Sequence, residues 1–435
     1  MDIVLDYVED VDILALRATC RSVAGQAQDA FLNRYFSERR HLITEFSLRR
    51  LVDICKDDVL SSRLTSIEFV HVDLDFYWHP DVRCFTSRLG DAVDFMDWDD
   101  QMKWLHQAER NPQDETGEDD RHLANAMAQA QAEYAEALLQ RKKEDAERLA
   151  VCDKWDALED ALGEDLIVNI IFLALKSLKD KSKPSIPALT VSTALQYPRR
   201  AFGLHELARY LGTDGRDDKP FGSRHSAGQK TTSMLLSGIA KANYPVRYLT
   251  LSTPSLPTLF ANLNIGPQTL QLHSNMSQLR GLSMFFDRSI VSEYLNGFTT
   301  FLAAATSLEH IGIEFSTEYQ NYIRNVPRAF ADAFKNSKLK SIELATGRLE
   351  RHDLVDLLAT QQETLRRLRL VDMAPIDGNS WAPMLQTLQT DFDLEYIDIR
   401  LLTETRDRLC GAVHEGKAAV QEKLGELIKQ ANVLP

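Results

Sequence analysis

No stretch of this chain is apolar for long enough to cross a bilayer. The longest apolar run, residues 166–175, is interrupted by Asn169 and falls well short of the roughly 20 residues a spanning helix needs. Positive charge is scarce: 50 Lys and Arg stand against 64 Asp and Glu, a net charge of −14. That balance excludes a broad surface for phosphate backbones, so no nucleic-acid partner is expected. Cysteine is sparse as well. Cys20, Cys55, Cys84, Cys152 and Cys410 are odd in number, scattered, and form no CxxC pair. This excludes a disulfide framework and fits reduced thiols in an intracellular protein of the cytoplasm or nucleus. The opening residues Met1-Asp2-Ile3-Val4-Leu5-Asp6 are acidic, unlike a secretory signal. No membrane partner is expected.

The signatures of catalysis are missing too. There is no Gly-x-Ser-x-Gly elbow and no cysteine in a nucleophile context. Gly228-Gln229-Lys230-Thr231 echoes a phosphate loop, but Gln229 separates the glycine from the lysine and no apolar strand precedes it. His71, Asp73 and Asp75 alternate, so a strand would put them on one face, with His79 and Asp81 close by. No second metal-binding signature accompanies them. The acidic run 91–100 lacks calcium-loop spacing and its turn glycine. The chain is therefore read as no enzyme, with no catalytic residue, metal or cofactor.

What the chain does have is a repeat. Leu339-Lys340-Ser341-Ile342-Glu343-Leu344 has apolar residues at positions one, four and six. The same pattern returns at Leu365–Leu370 and Leu394–Ile399, 26 and 29 residues later. Leu354, Leu357 and Leu358 lie between the first two at helical spacing, and Trp381, Met384, Leu385 and Leu388 between the second and third. Each unit reads as a short strand followed by a helix. Upstream, the template fits Leu308–Ile313, Leu279–Met284 and Val246–Leu251, then more weakly Ile186–Val191, and once more at Leu64–Phe69. Helices are predicted over residues 205–211 and 232–242. Even spacing without a Gly-rich first turn favours a solenoid over an ordinary doubly wound sheet. The predicted fold class is α/β: a leucine-rich-repeat solenoid with parallel strands and outer helices.

The N-terminus reads differently. Residues 2–8 look like the end of a helix. Asp10 or Asp12 can cap a second one carrying Ile13, Leu16, Cys20 and Val23 on one face. Phe31, Leu32, Tyr35 and Phe36 suggest a third helix, and Ser47 a cap for a fourth with Leu48, Leu51, Val52 and Cys55. Here Val4-Leu5-Asp6-Tyr7-Val8-Glu9-Asp10 and Asp12-Ile13-Leu14-Ala15-Leu16-Arg17-Ala18-Thr19-Cys20-Arg21 resemble the later two thirds of an F-box. Residues 41–52, and Gly203-Leu204-His205-Glu206-Leu207-Ala208-Arg209 further on, are similar to segments of filamentous-fungal F-box proteins with leucine-rich repeats. The resemblance covers most of the chain loosely. It implies a helical module over residues 1–45 that docks on a Skp-family adaptor of a cullin–RING ligase, with Val4, Val8, Ile13, Leu14, Leu16 and Arg17 in the docking face. The family's opening Leu-Pro and acidic turn have no counterpart in this chain, so weak or absent adaptor binding is expected. The repeat array would occupy residues 46–435 and recruit a protein substrate for an SCF-type ubiquitin ligase. The alternative is a repeat scaffold that binds partners without a ligase.

An acidic helical insertion is expected at about residues 70–183. Residues 91–160 hold 20 acidic and 8 basic side chains, a balance of −12, and residues 122–162 are rich in helix formers. The strands also define a candidate partner face. Side chains alternate along a strand, so if Ile342 and Leu344 face the helices, Ser341 and Glu343 face the concave side. The same rule selects Tyr248 and Thr250, Ser283 and Phe285, His310 and Glu314, Arg367 and Arg369, and Tyr396, Asp398 and Arg400. Two readings of this face stay open: a stabilising charge ladder from Glu343 to the arginines, or capture of an acidic or phosphorylated segment by Arg367, Arg369 and Arg400.

Overall fold

The computed structural model describes residues 17–70, 73–74, 163–181, 187–192, 202, 221–222, 227–252, 267–286, 299–315, 326–375, 380–402 and 408–433, with isolated positions in 136–158 and 207–210. Internal contacts divide the chain into two units: residues 1–72, 164–204 and 225–435, and residues 73–163 and 205–224.

The first unit starts with short helices. Val4, Val8, Ile13, Leu14 and Leu16 lie outside the described residues. Arg17–Thr19 is helical, but Cys20 is extended and exposed, and helix α1 (Arg21–Gln26) starts anew after it with no buried residue. The single helix expected to carry Cys20 and Val23 on one buried face is thus broken at Cys20. Thr19 and Cys20 are weak helix formers, and Cys20 becomes the extended N-cap of the new helix, its carbonyl accepting the Ala24 amide at 2.9 Å. Helix α2 (Gln28–Phe36) buries Leu32. Strand β1 (Glu38–Leu42) follows, where no strand was expected. Helix α3 (Glu45–Lys56) buries Leu48, Leu51, Val52 and Cys55 as expected. Its cap is Thr44, not Ser47: the Thr44 hydroxyl accepts from the Ser47 amide at 3.4 Å. Ser47 is buried inside the helix and donates to the Phe202 carbonyl at 2.7 Å.

The array then repeats. Helix α4 (Asp58–Arg63) leads into β2 (Ser66–Val70). In the second unit, β3 (Asp73–Leu74) belongs to a two-stranded sheet of its own. Helix α5 (Glu164–Asp180), drawn from the longest apolar run, buries Ile167, Ile170, Ile171, Ala174, Leu175 and Leu178. It packs against α3 on one side and leads to β4 (Ala188–Ser192). The array therefore resumes at Glu164, within the stretch read from sequence as insertion. After β5 (Phe221–Gly222), which pairs antiparallel with β3, helix α6 (Ala227–Ala242) packs on the other side of α5. Next come β6 (Tyr248–Ser252), α7 (Pro267–Met276), β7 (Gly281–Phe286), helical residues 299–304 and β8 (His310–Phe315). The chain continues through α8 (Val326–Phe334), β9 (Ser341–Leu349), α9 (Arg351–Ala359), β10 (Arg367–Pro375), α10 (Ala382–Asp391), β11 (Tyr396–Leu402), β12 (Arg408–Glu415) and α11 (Lys417–Val433).

Ten strands form one sheet in the order β1-β2-β4-β6-β7-β8-β9-β10-β11-β12. The strands run in chain order, all parallel except β12, which returns antiparallel to β11. The first leucine of each sequence motif does not enter the strand. Leu279, Leu308, Leu339, Leu365 and Leu394 each precede it by two residues and are fully buried. The fourth and sixth positions are buried as well: Leu249 and Leu251, Leu282 and Met284, Ile311 and Ile313, Ile342 and Leu344, Leu368 and Leu370, Ile397 and Ile399.

One backbone device joins the repeats. The carbonyl just before each strand accepts two successive amides of the next repeat. Arg247 O takes Arg280 N and Gly281 N, at 2.7 and 3.0 Å; Arg280 O takes Glu309 N and His310 N, both at 2.8 Å. Glu309, Lys340 and Arg366 carbonyls repeat the arrangement. Gln361, 2 % exposed, adds a side-chain bridge by accepting from Leu339 N at 2.9 Å and donating to Phe334 O at 3.0 Å. These bonds satisfy buried backbone groups that the turns would otherwise leave open. In the second unit, the described positions of 136–158 are helical. Of the alternating His71, Asp73, Asp75, His79 and Asp81, only Asp73 is among the described residues.

Candidate functional site

Helices bury one face of the ten-stranded sheet; the other face carries the alternate side chains. Strand register places these side chains in three rows. The first runs Tyr248, Gly281, His310, Ser341, Arg367, Tyr396. The second runs Thr250, Ser283, Gly312, Glu343, Arg369, Asp398. The third runs Phe285, Glu314, Ala345, Val371, Arg400. Every candidate partner residue of the repeats therefore lies on one continuous surface, as alternation predicts.

The two ends of this surface differ in chemistry. At one end Tyr248 is 45 % exposed. Its ring leans over the neighbouring strand: a Cβ at Gly281 would meet Tyr248 Cδ1 at 2.6 Å. Beside it the floor is low, since Gly312 lies directly against Ser283. Phe285 and Glu314 are paired in register at the far side of that floor.

The other end is a charge network. Arg369 Nε donates to Asp398 Oδ2 at 3.1 Å, and Arg369 Nη1 donates to Glu343. Arg400 Nε lies 3.3 Å from Asp398 Oδ1, close enough for an ion pair but poorly aligned for a hydrogen bond. Asp398 is 2 % exposed, so the two guanidinium groups over it compensate a nearly buried charge. Partial burial opposes the charge on Arg369, but Glu343 and Asp398 outweigh it and hold the guanidinium above its ordinary pKa. Arg367 stacks on Tyr396, its guanidinium carbon 4.3 Å from the ring centroid. Two of the three arginines named for an acidic segment are thus committed to acids within the sheet. Among the described residues, the exposed Arg367 is held only by stacking. At the array's start, Arg40 pairs with Glu68 at 2.7 Å and Ser192 donates to Glu68 at 2.6 Å.

Of the adaptor-docking residues implied by resemblance, only Arg17 is described. Its guanidinium lies 3.8 Å from the Phe31 ring centroid and donates to Gln28. That occupies Arg17 within its own helices.

A half-buried arginine and a buried histidine went unnoticed in the sequence because β1 was not expected. Arg39 and His41 point to the core side of β1, in register with Ile67 and Phe69. Burial, with Arg39 nearby, pushes the His41 pKa down to about 3, although its contact to the Ser47 carbonyl opposes this. His41 Nδ1 is 3.0 Å from that carbonyl and 3.1 Å from Ser47 Oγ.

Among the described residues one group could hold a metal ion: Glu350, His352 and Asp353. His352 Nε2 lies 3.2 Å from Glu350 and 3.1 Å from Asp353. A ring N–H shared between two carboxylates accounts for both distances. No helix among the described residues is long and apolar enough to cross a membrane. No family model, curated protein or solved structure matches this chain.

Proposed function

We propose that this chain is a protein-recognition subunit built as a leucine-rich-repeat array, and that it recruits a protein substrate to an SCF-type cullin–RING ubiquitin ligase. The observation that supports recognition is the one-sided sheet. Helices bury one face, while the other presents an exposed tyrosine, a low Gly/Ser floor and a fixed charge network in register. A rigid, chemically varied surface of this kind suits an extended or loop segment of another protein. The ligase half of the reading rests on the resemblance of residues 4–21 to an F-box. Its mechanism is tethering. One end holds the adaptor and the other the substrate, raising the effective concentration for a transfer carried out elsewhere in the complex.

The partner side chains that do most are Tyr248, Phe285, His310 and Arg367, because Glu343, Arg369, Asp398 and Arg400 already pair their charges with one another. The test is affinity purification of the full chain from its own cells beside Tyr248→Ala and Arg367→Glu variants, with a purified Skp-family adaptor titrated separately. Loss of the same partners from both variants supports the open face as the binding site. Adaptor binding, weak as the shortened motif implies, adds the ligase. Partners retained without adaptor binding would make the chain a scaffold instead.

A further inference from the structure

We infer that a recess at the strand-start edge of β6–β9 is an anion site suited to a phosphoryl group. It lies off the open sheet face, and it stands independently of the ligase reading. The recess has a volume of about 360 Å³, and its lining includes Arg247, Arg280, Thr306, Glu309, Asn336 and Lys338.

The repeat geometry itself creates the charge density. Each residue whose carbonyl joins the next repeat sits in one column along this edge, at the strand spacing of about 4.8 Å. The column reads Arg247, Arg280, Glu309, Lys340, Arg366, Glu395. Half of its charges are already engaged. Lys340 Nζ bonds Glu309 at 3.1 Å, and Arg366 donates to the carbonyls of Leu365 and Glu363 at 2.9 and 3.0 Å. Arg247 and Arg280 differ. Among the described residues neither guanidinium, nor the Lys338 ammonium, has a hydrogen bond or ion pair.

Three such cations against one acid give the recess a local charge of about +2 in a chain of net −14. Neighbouring guanidinium groups repel unless an anion sits between them. Guanidinium forks match the oxygens of a phosphoryl group, with Lys338 supplying a point charge. Thr306 and Asn336 add neutral donors. The ligand is a phosphoryl dianion, either on a small phosphate ester or on a phosphorylated side chain of a partner.

The test is calorimetric titration of the full chain at low salt with inorganic pyrophosphate, then with a phosphoserine peptide and its unphosphorylated form. Wild type should bind pyrophosphate. An Arg247→Gln, Arg280→Gln double variant should weaken binding by at least about tenfold, as expected for two lost charge-assisted bonds. Glu309→Gln should tighten it severalfold, by removing the one acid and releasing Lys340. All three side chains are exposed or half-buried, so the variants should melt like wild type. Absence of pyrophosphate binding, equal affinity in the double variant, or no gain in Glu309→Gln would each overturn the site. Given pyrophosphate binding, uptake of the phosphoserine peptide assigns the group to a protein side chain. Binding of pyrophosphate alone assigns it to a small phosphate ester.

Discussion

His41 shows how much one buried titratable side chain can control. It is fully buried, and the fold holds its pKa near 3 against an ordinary 6.5. The unfolded chain therefore binds this proton at higher pH than the folded chain does. Stability owed to His41 is level above pH 6.5 and falls as pH drops from 6.5 towards 3, by up to about 1.4 kcal/mol per unit. Denaturant unfolding at pH 7, 6 and 5 should show this loss in wild type and a flatter profile in His41→Gln. Parallel profiles would mean that His41 is not the titrating group. Arg369 is the counterpart on the open face. Arg369→Ala should cost about 1–3 kcal/mol, because Asp398 keeps its burial and loses its best donor. Adding Asp398→Asn should restore most of that, a coupling that a double-mutant cycle reads out. These pairings were only partly legible. Alternation gave the face and suggested that Glu343 reaches Arg369. It could not show that Asp398 is almost fully buried, because burial depends on the arginines that fold over it.

At the scale of the element, the periodic pattern was an accurate guide to strands and a poorer one to their ends. Strands start two residues after the first leucine of each motif, since that leucine plugs the turn and its neighbour's carbonyl binds the next repeat. Strand β1 was missed because Glu38-Arg39-Arg40-His41-Leu42 is nearly all polar. It is a strand because β2 pairs with it on one side and the Phe202 backbone on the other. Tertiary pairing there overrides composition. Leu368, buried in the middle of the sheet, gives a severe test of the repeat: Leu368→Asp places a charge in the core and should cost more than about 4 kcal/mol. An unchanged melting profile would be incompatible with the β9–β10–β11 packing. Gly238 gives a subtler test. Gly238→Ala would stabilise an isolated helix by about 1 kcal/mol. In α6 the added Cβ would meet Ile171 Cγ2 at 2.6 Å, so a net loss of about 1–2 kcal/mol is expected. A rise in Tm would show that α5 and α6 are not in close contact at Gly238.

For the whole molecule, the sequence conveyed a parallel α/β array, but helix α5, which packs in that array, was read as part of the insertion. Helix α5 looked like part of the insertion because the template match after it, Ile186–Val191, is weak and the one before it lies far upstream, and only its packing between α3 and α6 identifies it as an outer helix. The open face is the feature on which the proposed recognition depends. Photo-cross-linking tests it by placing a benzoyl-phenylalanine at Tyr248 or Glu314 on the open face and, for comparison, at Leu173, which is 45 % exposed on the outer helix α5. Illuminated in cells, the full chain should form the same discrete partner adducts from Tyr248 and Glu314 and none of them from Leu173. Those adducts arising from Leu173 while both sheet positions stay silent would contradict an open-face binding site.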